Sequence, residues 1–222
     1  MTRMVAQQEV PVAITGQGLT LDGILGMPNN PQGMVLFAHG SGSGRFSPRN
    51  QFVAHRLQRG GFATLLLDLL QPDEADDRRK VFDIDLLADR LLLARSWIGR
   101  QPRTSVLSIG YFGASTGAGA ALQAAARTPD AVRAIVSRGG RPDLAGPYLE
   151  SVTAPTLLLV GGDDEPVIEL NEQALAHLRC PKSLVIIPGA SHLFEEPGTL
   201  EQVADHARRW FGTYLGRGGT DS

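Results

Sequence analysis

Ser115 stands among small residues in Gly113-Ala-Ser115-Thr-Gly117, directly after the apolar run that ends at Phe112. A lone hydroxyl in that spacing is a candidate nucleophile. The G-x-S-x-G pattern serves a tight strand-to-helix turn: side chains at 113 or 117 would strike the neighbouring strand or helix, and the serine is pushed outward. Short Gly/Ser turns are common, so the pentapeptide alone says little. Its setting says more, because Val106–Phe112 reads as a strand and Thr116–Arg127 as a small-residue helix stopping before Pro129.

A serine hydroxyl needs a base to attack at neutral pH. Of the five histidines, His55, His177 and His206 fall within amphipathic helical patterns and read as surface or partly buried residues. His39 ends a strand and is placed to line a site and contact substrate. His192, in the loop PGASHLFEEPG after the last strand, is free to lean over the sheet edge and reads as the base. The acid should follow an intervening strand, and Gly161-Gly-Asp163-Asp164-Glu165-Pro-Val167 offers three carboxylates there. Asp164 leads on its spacing from Gly161 and Val167, and Asp163 is second. The plainer reading is an acidic turn that caps the next helix; the chain order Ser, Asp, His argues for catalysis.

Acyl transfer also needs donors for a developing oxyanion. The N–H of Thr116, just after the serine, is one. The other is the N–H of Ser41 in the loop His39-Gly-Ser-Gly-Ser-Gly44, whose glycines let backbone approach a substrate carbonyl. That loop lacks the lysine of a P-loop and the GxGxxG of a dinucleotide fold. In Ser137-Arg138-Gly-Gly-Arg141-Pro-Asp143, Arg138 or Arg141 is placed to bind a substrate carboxylate. The alternative is a surface arginine paired with Asp143.

The elements that must hold these residues are legible as short apolar runs: Val10–Ile14, Leu19–Met27, Met34–Ala38, Ala63–Asp68, Val106–Phe112, Val132–Val136, Thr156–Val160 and Ser183–Ile187. The later ones are continuous, as buried parallel strands are; the first two are more polar and joined by a Gly-rich turn, which predicts an antiparallel edge hairpin. Ser47-Pro48 begins a helix that Gly60-Gly61 closes. Asp83–Ile98 carries an apolar face and stops at Gly99; Thr199 with Gln202 reads as a capping box before the stripe Leu200, Val203, Ala207, Trp210, Phe211. Alternating strands and helices argue for an α/β fold, a mostly parallel sheet covered on both faces. The run DEADDRRK (73–80) reads as a solvated loop, with cover for a site rim as the alternative.

At 222 residues the chain reads as one domain over 1–215, with a polar, glycine-rich tail at 216–222 expected to fray. Apolar residues at 42% and charged at 20% place it among ordinary globular proteins. A net charge of −2 gives no reason to expect nucleic acid or an anionic membrane as partner. No apolar stretch nears the ~18 residues of a membrane span, and the N-terminal residues carry no signal-like apolar run. The one cysteine, Cys180, cannot form an internal disulfide and reads as a small buried residue. A cytoplasmic enzyme is the expectation; the sequence does not give an oligomeric state.

Together FAHGSGSGRFSPRN, YFGASTGAGAAL, VSRGGRPDLAG, VGGDDEPV and PGASHLFEEPG resemble the small, lidless α/β-hydrolases of the dienelactone hydrolase family. The resemblance spans nearly the whole chain. It implies an eight-stranded α/β-hydrolase sheet without a lid domain, no metal or cofactor, and a triad of Ser115, Asp164 and His192 with Ser41 and Thr116 lining the oxyanion hole. One departure stands out: dienelactone hydrolase in the strict sense has a cysteine at the position of Ser115. The expected activity is therefore carboxylester hydrolysis on a small soluble ester or lactone. Amides, thioesters and organophosphates are alternatives for the same triad, and a non-catalytic scaffold is a third reading.

Overall fold

The computed structural model describes residues 8–216. Most of the 216–222 tail lies outside them, as does the start of the chain. Eight strands form one sheet in the order β1-β2-β4-β3-β5-β6-β7-β8. They are β1 (Gln8–Gly16), β2 (Leu19–Met27), β3 (Met34–Ala38), β4 (Ala63–Leu67), β5 (Ile109–Ala114), β6 (Ala134–Arg138), β7 (Thr156–Gly161) and β8 (Lys182–Ile187). β1 and β2 are antiparallel, as is the β2–β4 contact; β4, β3, β5, β6, β7 and β8 run parallel. The edge hairpin and the eight-stranded, mostly parallel sheet match the sequence expectation.

Strand alternation divides the core into two layers. On β3, Val35 and Phe37 pack towards helices α1 (Pro48–Arg59) and α7 (Thr199–Leu215), with Phe112 of β5 and Val136 of β6 on the same side. Met34, Leu36 and Tyr111 pack against α4 (Ile84–Gly99) and α5 (Thr116–Ala126) on the other face. The Phe37 and Phe112 rings lie 4.9 Å apart at their centroids, directly beneath the site end of the sheet. Truncating either ring would cost roughly 3–5 kcal/mol, because a fully buried aromatic leaves a cavity that the sheet cannot close.

Several boundaries differ from the sequence reading. The fifth strand begins at Ile109, not Val106: residues Gln101 to Leu107 turn on backbone bonds to Gln101 and Thr104, the Thr104 hydroxyl donates to Ile98 O, and Val106 is 84% exposed. The sixth strand runs Ala134–Arg138, two residues further on, because its partners are Gly110–Ala114. Asp68 falls just past β4. Gly99 is the last helical residue of α4, and Arg100 forms the cap. The expected capping box on α7 is absent: Gly198, at φ 81°, is the N-cap, while the Thr199 hydroxyl donates to Glu196 O.

The acidic-basic run at 73–80 is not a loop. It forms two single-turn helices, α2 (Pro72–Ala75) and α3 (Arg78–Val81). Their anchor is Glu74, a buried carboxylate that accepts from Arg90 Nη2 of α4 at 2.9 Å and from Lys80 Nζ at 3.4 Å. Two further elements complete the described residues: a 3₁₀ segment at Pro142–Ser151, kinked at Gly146, and α6 (Glu165–His177).

Candidate active site

Ser115 occupies the turn between β5 and α5 with φ 50° and ψ −124°, a conformation an L-residue adopts only under constraint. The constraint comes from crowding on both sides. A Cβ at Gly117 would lie 2.1 Å from Ala38 O, and one at Gly113 would lie 2.5 Å from Ala118 Cα. Only glycine lets β3, β5 and α5 approach this closely, so the serine is lifted clear of the sheet edge. Its N–H donates to Arg138 O (3.3 Å) and its carbonyl accepts from Arg141 N–H (3.0 Å), which ties the elbow to the end of β6.

His192 and Asp164 are brought together from the loops after β8 and β7. His192 Nδ1 is 2.6 Å from Asp164 Oδ2, with the carboxylate mostly buried and the ring 38% exposed. A hydrogen bond of that length fixes the tautomer, with the proton on Nδ1 and the Nε2 lone pair turned outward. Asp163 is exposed and uses only its N–H here, donating to Ala190 O. The His192 ring packs at the end of β6: a Cβ at Gly139 would lie 3.6 Å from His192 Cε1. Among the described residues Ser115 Oγ and His192 are not joined by a hydrogen bond.

The histidine loop has two anchors that the sequence reading did not single out. Phe194 is driven into the core between α1 and α7 at a positive φ of 57°. Glu196 accepts the Ser191 N–H at 3.0 Å, and its carboxyl is held below its usual value by the Ser191 side chain first, with its own N–H and that of Ser191 adding to the effect. Periodicity gives no sign of either role, because both are set by a loop folding back on itself.

On the other side of Ser115 lies the loop after β3. Its backbone passes so close that a Cβ at Gly40 would sit 2.9 Å from Ser115 Cβ. Ser41 N–H points at Thr116, donating to the Thr116 hydroxyl at 3.1 Å. The Thr116 N–H, at the first position of α5, has no acceptor within the helix.

His39 lines the cavity beside this loop, where the sequence reading set it, and both its ring nitrogens are committed inside the protein. Leu69 N–H donates to Nε2 (2.9 Å), so Nδ1 carries the proton and donates to Gly40 O (2.9 Å). Burial lowers its pKa from the usual 6.5, against smaller opposing effects of Gly40 and Asp68. His39 thus pins the Gly40–Ser41 backbone to the end of β4.

Beside this loop is a cavity of about 830 Å³ whose wall includes His39, Gly40, Ser41, Arg49, Leu70 and Thr116. Ala75 and Val81 close part of it. The segment between β4 and α4 thus forms part of the wall of this cavity, through Ala75 of the 73–80 run and Val81 just after it. Arg45 fixes another edge by pairing with Asp68 and, at 3.1 Å, with Asp22.

The two arginines at the end of β6 and just beyond it part company. Arg141 forms a bidentate pair with Asp143 (2.9 and 2.7 Å), the plainer of its two sequence readings. Arg138 is 8% exposed, and its Nε and Nη1 are buried with no hydrogen-bond partner among the described residues. Burial first, and the nearby Arg49 guanidinium second, pull its pKa down to about 10. Cys180 is buried with its sulfur 3.7 Å from Thr156 Oγ1, remote from the elbow.

Among the described residues no helix is long and apolar enough to cross a membrane. Residues 21–213 match the dienelactone hydrolase family. A crystal structure of dienelactone hydrolase from Anabaena variabilis superposes with a TM-score of 0.91 at 57% identity, covering 94% of this chain and 99% of that one. Est1E from Butyrivibrio proteoclasticus superposes with a TM-score of 0.78 at 19% identity, over 90% of this chain and 97% of that one. A Mycobacterium tuberculosis protein named a phosphoribosyl transferase is 57% identical over 204 residues, which is 92% of this chain and 46% of that one. The chain thus spans about half the length of the curated relatives it matches. With the sheet order, the elbow and the match over nearly its whole length agreeing, the chain has an α/β-hydrolase fold and belongs to the dienelactone hydrolase family.

Proposed function

We propose that the protein is a serine hydrolase that cleaves small carboxylic esters, with lactones as the cyclic variant of the same substrate. The observation that carries this reading is the His192–Asp164 hydrogen bond at 2.6 Å, set at the same sheet edge as a serine held in a strained elbow. Ser115 Oγ attacks the ester carbonyl carbon while His192 Nε2 takes its proton. Asp164 holds the ring and stabilises the imidazolium that forms. The negative charge moves to the carbonyl oxygen, where the N–H groups of Thr116 and Ser41 receive it. Ser41 N–H must then leave or share its bond to the Thr116 hydroxyl. Collapse breaks the C–O bond, and the alcohol departs with the proton from His192. Water, deprotonated by the same histidine, then releases the acid and restores Ser115.

The cavity at the oxyanion side is of the size that takes small ligands, which supports a small-molecule substrate. A chain with a single, buried cysteine suits a cytoplasmic site of action. The transferase name belongs to a relative about twice this length, and the shared region is the one that matches the hydrolase family.

The test is labelling with a fluorophosphonate, followed by a panel of short esters, lactones, amides, thioesters and phosphotriesters. Covalent labelling at Ser115 with fastest turnover of esters or lactones is the expected result. Absence of labelling would return the chain to the scaffold reading.

A further inference from the structure

Arg138 presents an unsolved charge. It ends β6 opposite Ala114, and its carbonyl receives the Ser115 N–H, so its backbone lies beside the elbow. Ala134 and Val136 of the same strand face α1 and α7, and alternation sends Arg138 the same way, towards the start of α1. Arg49, the second residue of that helix and part of the wall of the cavity beside Ser41, lies near enough for its charge to act on Arg138. Two guanidiniums share this place with a helix N-terminus whose first turn holds no acid. Helix starts favour negative charge, and this one gathers positive charge instead.

The nearby carboxylate does not answer it. Glu195, from the histidine loop, reaches only Arg49 Nη1 (3.1 Å), and its side chain is 62% exposed. Arg49 Nε, Arg138 Nε and Arg138 Nη1 stay buried and unpartnered among the described residues. A buried charge persists when an anion completes it, and guanidinium donors suit planar or tetrahedral oxyanions. Two guanidiniums offering three sealed donors fit three terminal oxygens and a charge near −2 better than the two oxygens of a carboxylate.

We propose that Arg138 and Arg49, at the N-terminus of α1, form a subsite for the phosphate group of a phosphorylated ester, held beside Ser115 and not itself cleaved. Assigning the phosphate to a substrate rests on the esterase reading above; the binding of phosphate does not.

Two measurements separate these. In the first, melting temperatures of wild type, Arg138→Met and Arg49→Gln are compared in inorganic phosphate and in chloride of equal ionic strength. Wild type should gain about 2–4 °C at saturating phosphate, and each variant should lose that gain. Arg49→Gln carries the test if Arg138→Met fails to fold. Equal melting in the two salts, or an equal gain in the variants, overturns the subsite. In the second, kcat/KM is measured for nitrophenyl esters of matched length ending in methyl, carboxylate or phosphate. Wild type should prefer the phosphate ester over the methyl ester by roughly 10- to 150-fold, the worth of one charge-assisted contact. Arg138→Lys and Arg49→Gln should collapse that ratio. A carboxylate ester preferred as strongly, or a ratio near one, overturns the assignment. If no ester is turned over while phosphate still protects through Arg138, the esterase reading fails and the subsite stands.

Discussion

His192 Nδ1 and Asp164 Oδ2 lie 2.6 Å apart, joining loops that leave two different strands. The neighbouring Asp163 is exposed, and its side chain makes no hydrogen bond among the described residues. Replacing Asp164 by Asn should therefore lower kcat by about 10⁴, since the wrong tautomer would face Ser115. Asp163→Asn should change it by less than about threefold, as a screened surface charge. Ester hydrolysis by the two purified variants checks the assignment; similar losses would mean that the acid is shared.

The strain at Ser115 makes a second prediction in which stability and activity move in opposite directions. Its φ of 50° suits glycine far better than serine. Ser115→Gly should raise unfolding stability by about 1 kcal/mol while removing the nucleophile. Ser115→Ala keeps the strain and should lower kcat by roughly 10⁴–10⁶ with little change in stability. Denaturant unfolding beside ester turnover reads both. A glycine variant no more stable than the alanine one would mean that the elbow holds no strain.

Most of this site was legible because it is written in local patterns. Gly113-x-Ser115-x-Gly117 carries its own steric reason, and Ser115, Asp164 and His192, the proposed triad, follow strands whose apolar runs are unmistakable. What escaped notice depends on contacts between distant residues. His39 lines the cavity because it follows β3, but nothing local shows that its ring is held by Gly40 and by Leu69, 30 residues away in the second case. The DEADDRRK run looks solvated because nothing local shows that Arg90 will reach back to Glu74. The Val106 error has the same root: an apolar pair reads as a strand start until the turn from Gln101 shows that the chain has not yet reached the sheet.

His39 should act through position and not through contact with substrate. His39→Gln should reduce kcat about 10- to 100-fold with a smaller change in KM, because a mobile Ser41 N–H stabilises the oxyanion less well. Stability supplies an independent sign. The folded pKa lies below 6.5, so the unfolded chain binds the proton more readily. The contribution of this ring is complete above pH 6.5 and declines as pH falls below it. His39→Gln should lack that part of the decline between roughly pH 6.5 and 5. Parallel stability curves for the two proteins would show that the ring titrates as it does in the unfolded chain.

Glu74 tests the cover over the cavity. Burial alone would raise its carboxyl, but the Gln71 N–H, Arg90 and Lys80 outweigh that, and its folded pKa lies below the usual value near 4.5. The stabilisation is therefore present above that value and lost as pH falls through the folded pKa. Glu74→Gln should cost about 1–3 kcal/mol at neutral pH, because it leaves the largely buried Arg90 short of its partner. The gap between variant and wild type should narrow between pH 5 and 3 as the wild-type carboxylate takes up its proton, to about the few tenths of a kcal/mol typical of a neutral exchange. Because Ala75 and Val81 help to wall the cavity, the same variant should raise KM for esters more than it lowers kcat. A stability gap constant with pH would remove the ion pair from this account, and an unchanged KM would detach the two short helices from the substrate.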